Sequence, residues 1–199
     1  LSTVITDSYT NTLTLAHDRY GRLQTASTPA VTVRYAYDKA GRLLAATRDF
    51  GTLQKKRQYH YEDPRFPHYL PGITDERDIR FATWTYDGSG RANSSEHAGG
   101  TERVTLRYEN GGPTILTNAL GKESVHHFTV VKSVKRTVRV EGKPSPNCAM
   151  SDAYFGYDNA GNLVERTDEN GVKTRYVYNT LGLETARTEA YGTPIARTI

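Results

Sequence analysis

The chain has 199 residues, with 26 Lys and Arg against 22 Asp and Glu, a formal net charge of +4 and six histidines. At 36% hydrophobic residues and a mean hydropathy of −0.66, it has no apolar run long enough to cross a bilayer as a helix, and it can build only a thin core. Its one cysteine, Cys148, excludes an internal disulfide.

From the first strand onward the chain reads as short β-hairpins. A phrase keeps returning: an aromatic residue, Asp or Asn, two residues, Gly, then often a basic residue and Leu. It appears weakly as His17-Asp18-Arg19-Tyr20-Gly21-Arg22-Leu23, and in full as Tyr37-Asp38-Lys39-Ala40-Gly41-Arg42-Leu43. It returns as Tyr86-Asp87-Gly88-Ser89-Gly90-Arg91, as Tyr157-Asp158-Asn159-Ala160-Gly161-Asn162-Leu163, and in looser form at Tyr108 to Gly112 and Tyr178 to Leu183. In Asp-x-x-Gly the carboxylate accepts from backbone amides while Gly takes the left-handed position, which describes a type I turn closed by a left-handed residue. A second turn follows about ten residues on: Gly41 is followed by Gly51, Gly90 by Gly100, Gly161 by Gly171. The predicted unit is a hairpin of roughly twenty residues.

The intervening segments alternate, as strands with one covered and one wet face do. Val33, Tyr35 and Tyr37 share a face with Arg34 and Ala36 opposite; Ala82, Trp84 and Tyr86 oppose Thr83 and Thr85; Thr174, Tyr176 and Tyr178 oppose Lys173, Arg175 and Val177. No helical stripe runs for three turns, so the predicted fold class is all-β: repeated antiparallel hairpins in a curved, spiralling sheet. The turn residues expected to carry it are Asp18 and Gly21, Asp38 and Gly41, Asp87 and Gly90, Asn118 and Gly121, Asp158 and Gly161, Asp168 and Gly171, and Asn179 and Gly182.

Two stretches leave the period. Between about 62 and 80, Pro64, Pro67 and Pro71 exclude a central strand, and Phe66, Tyr69 and Leu70 suggest a loop folded back on the sheet. There Asp75-Glu76-Arg77-Asp78 reads as a degenerate turn with Asp78 in the glycine position. Between about 124 and 153 a longer hairpin precedes a Pro-rich loop containing Cys148. The chain opens mid-strand and stops where another strand should follow, so residues 1–199 are expected to be a single repeat segment of a longer polypeptide.

No catalytic constellation stands out. His60, Glu62, Asp63 and His68 are the densest metal-like group, but their spacing matches no zinc pattern. Ser94-Ser95-Glu96-His97 holds hydrolase residue types without a Gly-x-Ser-x-Gly elbow. The glycine pairs belong to turns rather than to phosphate loops. The basic residues are dispersed along strands, which argues against a nucleic-acid interface. The expectation is no enzyme activity, no cofactor, no metal, no nucleic-acid partner and no membrane span. Trp84 is the one residue singled out as a possible ligand contact.

The phrase Tyr-Asp-x-x-Gly-Arg-Leu, with Tyr-x-Tyr before it, resembles the YD repeats of Rhs proteins, a family related to insecticidal Tc toxins and teneurins. The run Ile73 to Gly100 is similar to the core of Gram-negative Rhs proteins. The resemblance implies a wall segment of a hollow shell that encloses a C-terminal toxin and is delivered outside the producing cell, commonly by type VI secretion. Its implied partners are the remaining repeats, the enclosed toxin and, through an N-terminal region, secretion-spike proteins. A carbohydrate- or cell-surface-binding YD module is the alternative.

Overall fold

The computed structural model describes residues 1–146 and 149–199; Cys148 lies outside them. Eighteen strands and one three-residue 3-10 turn, Ala98–Gly100, make up the regular structure among the described residues. The chain divides into two compact units, Leu1–Arg103 and Val104–Ile199.

The first unit is an antiparallel meander of β1 (Ser2–Thr6), β2 (Thr12–His17), β3 (Leu23–Ser27), β4 (Thr32–Tyr37), β5 (Leu43–Asp49), β6 (Gln54–His60), β7 (Gly72–Thr74), β8 (Arg80–Tyr86) and β9 (Ala92–His97). Each strand pairs with the next in sequence. The second unit repeats the scheme with β10 (Thr101–Tyr108, whose first three residues precede the unit boundary), β11 (Thr114–Thr117), β12 (Glu123–Val131) and β13 (Val134–Gly142). It continues through β14 (Ser151–Tyr157), β15 (Leu163–Thr167), β16 (Lys173–Tyr178), β17 (Glu184–Glu189) and β18 (Arg197–Thr198). The all-β hairpin fold read from the repeat is the fold observed.

Alternation decides which face is covered. In β4, Val33, Tyr35 and Tyr37 are half-buried while Arg34 and Ala36 are exposed; β16 alternates the same way. Among the described residues no second layer packs across the strands of either unit, the buried hydrophobic residues are Ala45, Ala82 and Val125, and no large side chain is fully buried. The accessible surface is 13394 Å². Two separate compact domains of half this mass would expose only about 11,300 Å², so the excess belongs to the units themselves.

The turns leave a regular mark on the ladders. After five of the six phrases the second strand carries one extra residue: Gln24 in β3, Leu44 in β5, Asn93 in β9, Val164 in β15 and Thr185 in β17; β11, after Tyr108 to Gly112, carries none. Such bulges bend the strand and raise its twist. These five hairpins therefore share a bulge at the same place.

Both irregular stretches are built from familiar parts. The loop after β6 folds back so that Phe66 stacks on Tyr69 at 4.8 Å, and Tyr69 meets Tyr86 edge-on at 4.8 Å. Asp78 takes the left-handed position, φ 62°, in a turn closed by its amide on the Asp75 carbonyl. The longer hairpin is β12 and β13, nine residues each, joined through Lys132 and Ser133 at φ 49° and 63°. These are two consecutive left-handed residues without a glycine, the conformation that Asn-Gly normally supplies.

Opposite responses are expected at two turns. Ser133→Gly should raise the chemical-denaturation midpoint by an amount equivalent to about 1 kcal/mol through relief of left-handed strain. Gly41→Val should lower it by about 1–3 kcal/mol for the converse reason, since Gly41 has φ 84° and an added Cβ would sit 3.5 Å from Arg22 Nη1.

Candidate functional site

In a meander, alternate turns fall on the same edge of the sheet. In the first unit the turns 18–22, 38–42 and 87–91 share one edge with the Pro-rich loop, and in the second unit 158–162 and 179–183 share one. These edges carry the repeated phrase and are the most elaborated part of the structure.

Each turn is closed the same way. The Asp18 amide donates to the Arg22 carbonyl at 2.9 Å, and the Gly21 amide returns to the Asp18 carbonyl at 3.1 Å. The same pair of bonds recurs at Asp38 and Gly41, Asp87 and Gly90, Asn118 and Gly121, Asp158 and Gly161, Asp168 and Gly171, and Asn179 and Gly182. All seven glycines lie between φ 77° and 88°. The Asp or Asn side chain caps the turn from within. Asp87 Oδ1 accepts from the amides of Ser89 and Arg91, and Asn179 Oδ1 from those of Leu181 and Leu183.

Where Arg follows the glycine it completes an ion pair with the turn carboxylate. Arg22 meets Asp18 at 2.7 Å, Arg42 meets Asp38 at 2.5 Å and Arg91 meets Asp87 at 2.8 Å. The Arg42 amide bond and side chain hold the Asp38 carboxyl below its ordinary value, and Arg91 does the same for Asp87. The Arg22 guanidinium also lies 4.7 Å from the Tyr37 ring and 3.5 Å from the Asp38 carbonyl, so one side chain spans two successive turns. Arg42 lies over Tyr61 at 4.9 Å and donates to the Pro67 carbonyl. In the second unit, Arg136 of β13 lies 5.8 Å from the Tyr157 ring.

The tyrosine of the phrase links repeats. Tyr37 Oη donates to the Leu23 carbonyl at 2.9 Å and Tyr178 Oη to the Leu163 carbonyl at 2.9 Å; Tyr86 Oη reaches Leu70 O at 3.0 Å. Leu23 and Leu163 lie two residues past the last pair of the ladder to the following strand, so a side chain satisfies a carbonyl that no strand reaches. Burial pushes the phenols of Tyr37, Tyr86 and Tyr178 up, which keeps them as donors.

The other chemistry-bearing residues are committed elsewhere. Glu62 forms a two-pronged pair with Arg80 at 3.0 and 2.9 Å, Asp63 pairs with Arg65 at 2.7 Å, and His60 Nε2 meets Thr74 Oγ1 at 2.7 Å. No group of three or more potential metal ligands forms among the described residues. Ser94 bonds Thr85, whereas His97 faces Glu102 at 2.9 Å, so serine and histidine are not joined. Trp84 is half-buried beside an open cleft of about 360 Å³ that Arg65, Pro71 and Arg80 also line.

Sequence reasoning missed the bulges, the hydroxyl bridges and the part played by Arg136. It also missed the turn Asp7 to Asn11, where Thr10 holds φ 66°. The Asp7 side chain, which accepts from Tyr9 and Asn11, was its only signal.

Fold and edge together define a chain of stacked YD hairpins. Residues 157–194 match the RHS Repeat family model, which bears out the resemblance carried by the phrase. The chain is also similar to three solved structures, each at 12% identity. The Photorhabdus luminescens Tc holotoxin pore matches over 90% of this chain and 14% of that one, with a TM-score of 0.46. The TcdB2-TccC3-Cdc42 complex matches over 94% and 13% with a TM-score of 0.41, and TcdB2-TccC3 over 89% and 13% with a TM-score of 0.39. The chain thus spans 13–14% of the length of those chains.

Two outcomes are expected. Tyr37→Phe should lower the denaturation midpoint by about 1 kcal/mol, because a carbonyl loses its donor. Asp38 and Asp87 have folded pKa values below the ordinary 3.8, so their stabilising effect is complete above that value. It should fade as pH falls through the lower folded values. Denaturation midpoints measured downward from neutral pH should decline below about pH 4, and Asp38→Asn should flatten that decline.

Proposed function

We propose that this chain is a non-catalytic wall segment of an Rhs shell, which encloses a polypeptide toxin for delivery outside the producing cell by a type VI machine. The observation that carries the reading is the sheet itself: a single layer, continued hairpin by hairpin, that builds a surface rather than a core. Two further features support it. Residues 157–194 match the RHS Repeat family model, and the bulge that recurs after five of the phrases suits a curved wall. The commitment of Ser94, His97, Glu62 and Asp63 to separate partners supports a structural role over a chemical one. The wall's partners are then neighbouring repeats of the same polypeptide and the enclosed chain.

A second reading is favoured by the cleft at Trp84, where an indole beside the Arg65–Asp63 and Arg80–Glu62 pairs suits the face and hydroxyl groups of a sugar ring. It makes the segment a carbohydrate-binding module.

Electron cryomicroscopy of the parent polypeptide separates the two. The shell reading expects a closed wall containing these hairpins around internal density. An open structure, together with glycan-array binding abolished by Trp84→Ala, would replace it with the binding module.

A further inference from the structure

The two units offer the same edge in a filled and an unfilled form. Between turns 18–22 and 38–42 lies the Arg22 guanidinium, 5.1 Å from the ring of Tyr20, which is 66% exposed. Arg22 is held there by the Asp18 carboxylate, the Tyr37 ring and the Asp38 carbonyl. Between turns 158–162 and 179–183 the same frame is present. Asp158 stands for Asp18, Tyr178 for Tyr37, Asn179 for Asp38 and Gly182 for Gly41, and the hydroxyl bridge from Tyr178 to Leu163 matches that from Tyr37 to Leu23.

Among the positions that differ are the two whose side chains stack on one another in the first unit. Ala160 stands in place of Tyr20 and Asn162 in place of Arg22. What remains is an open trough of about 600 Å³, lined by Asp158, Ala160, Asn162, Tyr178 and Asn179 and rimmed by Leu181, which is 82% exposed. That volume lies within the range of about 300–1,000 Å³ typical of ligand sites.

Its chemistry is also incomplete in one direction. Asp18, Asp38 and Asp87 each face an arginine, whereas the Asp158 carboxylate meets amide groups and no cation among the described residues: those of Asn162 at 2.9 and 3.0 Å, and the backbone amides of Ala160 and Gly161. Tyr37, Tyr61 and Tyr157 each carry a guanidinium over the ring, and among the described residues no cation covers Tyr178. A carboxylate and an aromatic face with no cation between them are the two halves of a guanidinium site.

We propose that this trough is a docking site for an arginine side chain presented, beside an aromatic residue, by a partner polypeptide. The guanidinium pairs with the Asp158 carboxylate and lies over the Tyr178 ring, as Arg22 does on Asp18 and Tyr37. The partner's aromatic residue takes the place that Tyr20 fills in the first unit.

The test uses the full chain and the peptide acetyl-Tyr-Gly-Arg-amide, which reproduces Tyr20-Gly21-Arg22, with its citrulline counterpart as the uncharged control. Titration followed by NMR at Ala160 and Tyr178 should show saturable binding of the arginine peptide. The citrulline peptide should bind at least about tenfold more weakly, because only the cation pairs with the carboxylate. Asp158→Asn should weaken binding to the same extent. It keeps the turn, since Asn118 and Asn179 hold the same position in turns of their own. Asn162→Arg should abolish binding by filling the trough from within, and Ala160→Tyr should do so independently. Equal binding of the two peptides, unchanged binding by Asn162→Arg, or no saturable binding would each overturn the proposal. Self-association lost in Asn162→Arg would make the occupant a second copy and overturn the assignment to a partner.

Discussion

A sheet with nothing packed across it must be held together within its own plane. That constraint governs the rest of this structure. Where a sandwich draws its stability from an apolar interior, these units bury three small or medium hydrophobic residues and leave Tyr, Thr and Arg to cover the strands. The directional terms then matter more than area. They are ladder hydrogen bonds along each strand, side-chain caps in each turn, and contacts from one turn to the next along the edge.

The repeated phrase divides that work among its residues. The Asp or Asn closes the turn and sets the register of the hairpin. The glycine supplies the left-handed backbone that the closure requires. Arginine neutralises the carboxylate and reaches the next turn, and the tyrosine hydroxyl ties its hairpin to the leucine carbonyl of the one before. Because these duties are separable, one can be dropped without loss of the hairpin. Turn 158–162 keeps its closure and hydroxyl bridge while lacking the arginine, and an open trough results.

The Pro-rich loop shows the same economy of parts. It cannot continue the ladder, so Tyr69, stacked on Phe66, covers Tyr86 where an arginine covers Tyr37. The edge is therefore continuous in chemistry although the period of the sequence is broken.

Much of this architecture was legible in the residues. Alternation in Val33 to Tyr37 and in Lys173 to Tyr178 showed which side chains share a face, because a strand's period of two is a local property. Asp-x-x-Gly marked the turns for the same reason, and even Asp78 was readable as a stand-in for glycine. Other features depend on which strands are neighbours. Nothing in Tyr37 names Leu23 as its acceptor, and nothing in Arg136 places it over Tyr157, fully twenty-one residues away in sequence. The bulges at Leu44 and Val164 appear only when one strand is paired with the next, and the trough beside Asn162 exists only because two turns stand side by side. The sequence by itself determined the hairpins, their turns and their faces, since these rest on contacts within a few residues. Only the tertiary structure decided how turn meets turn, since those contacts join residues that are brought together by pairing of strands.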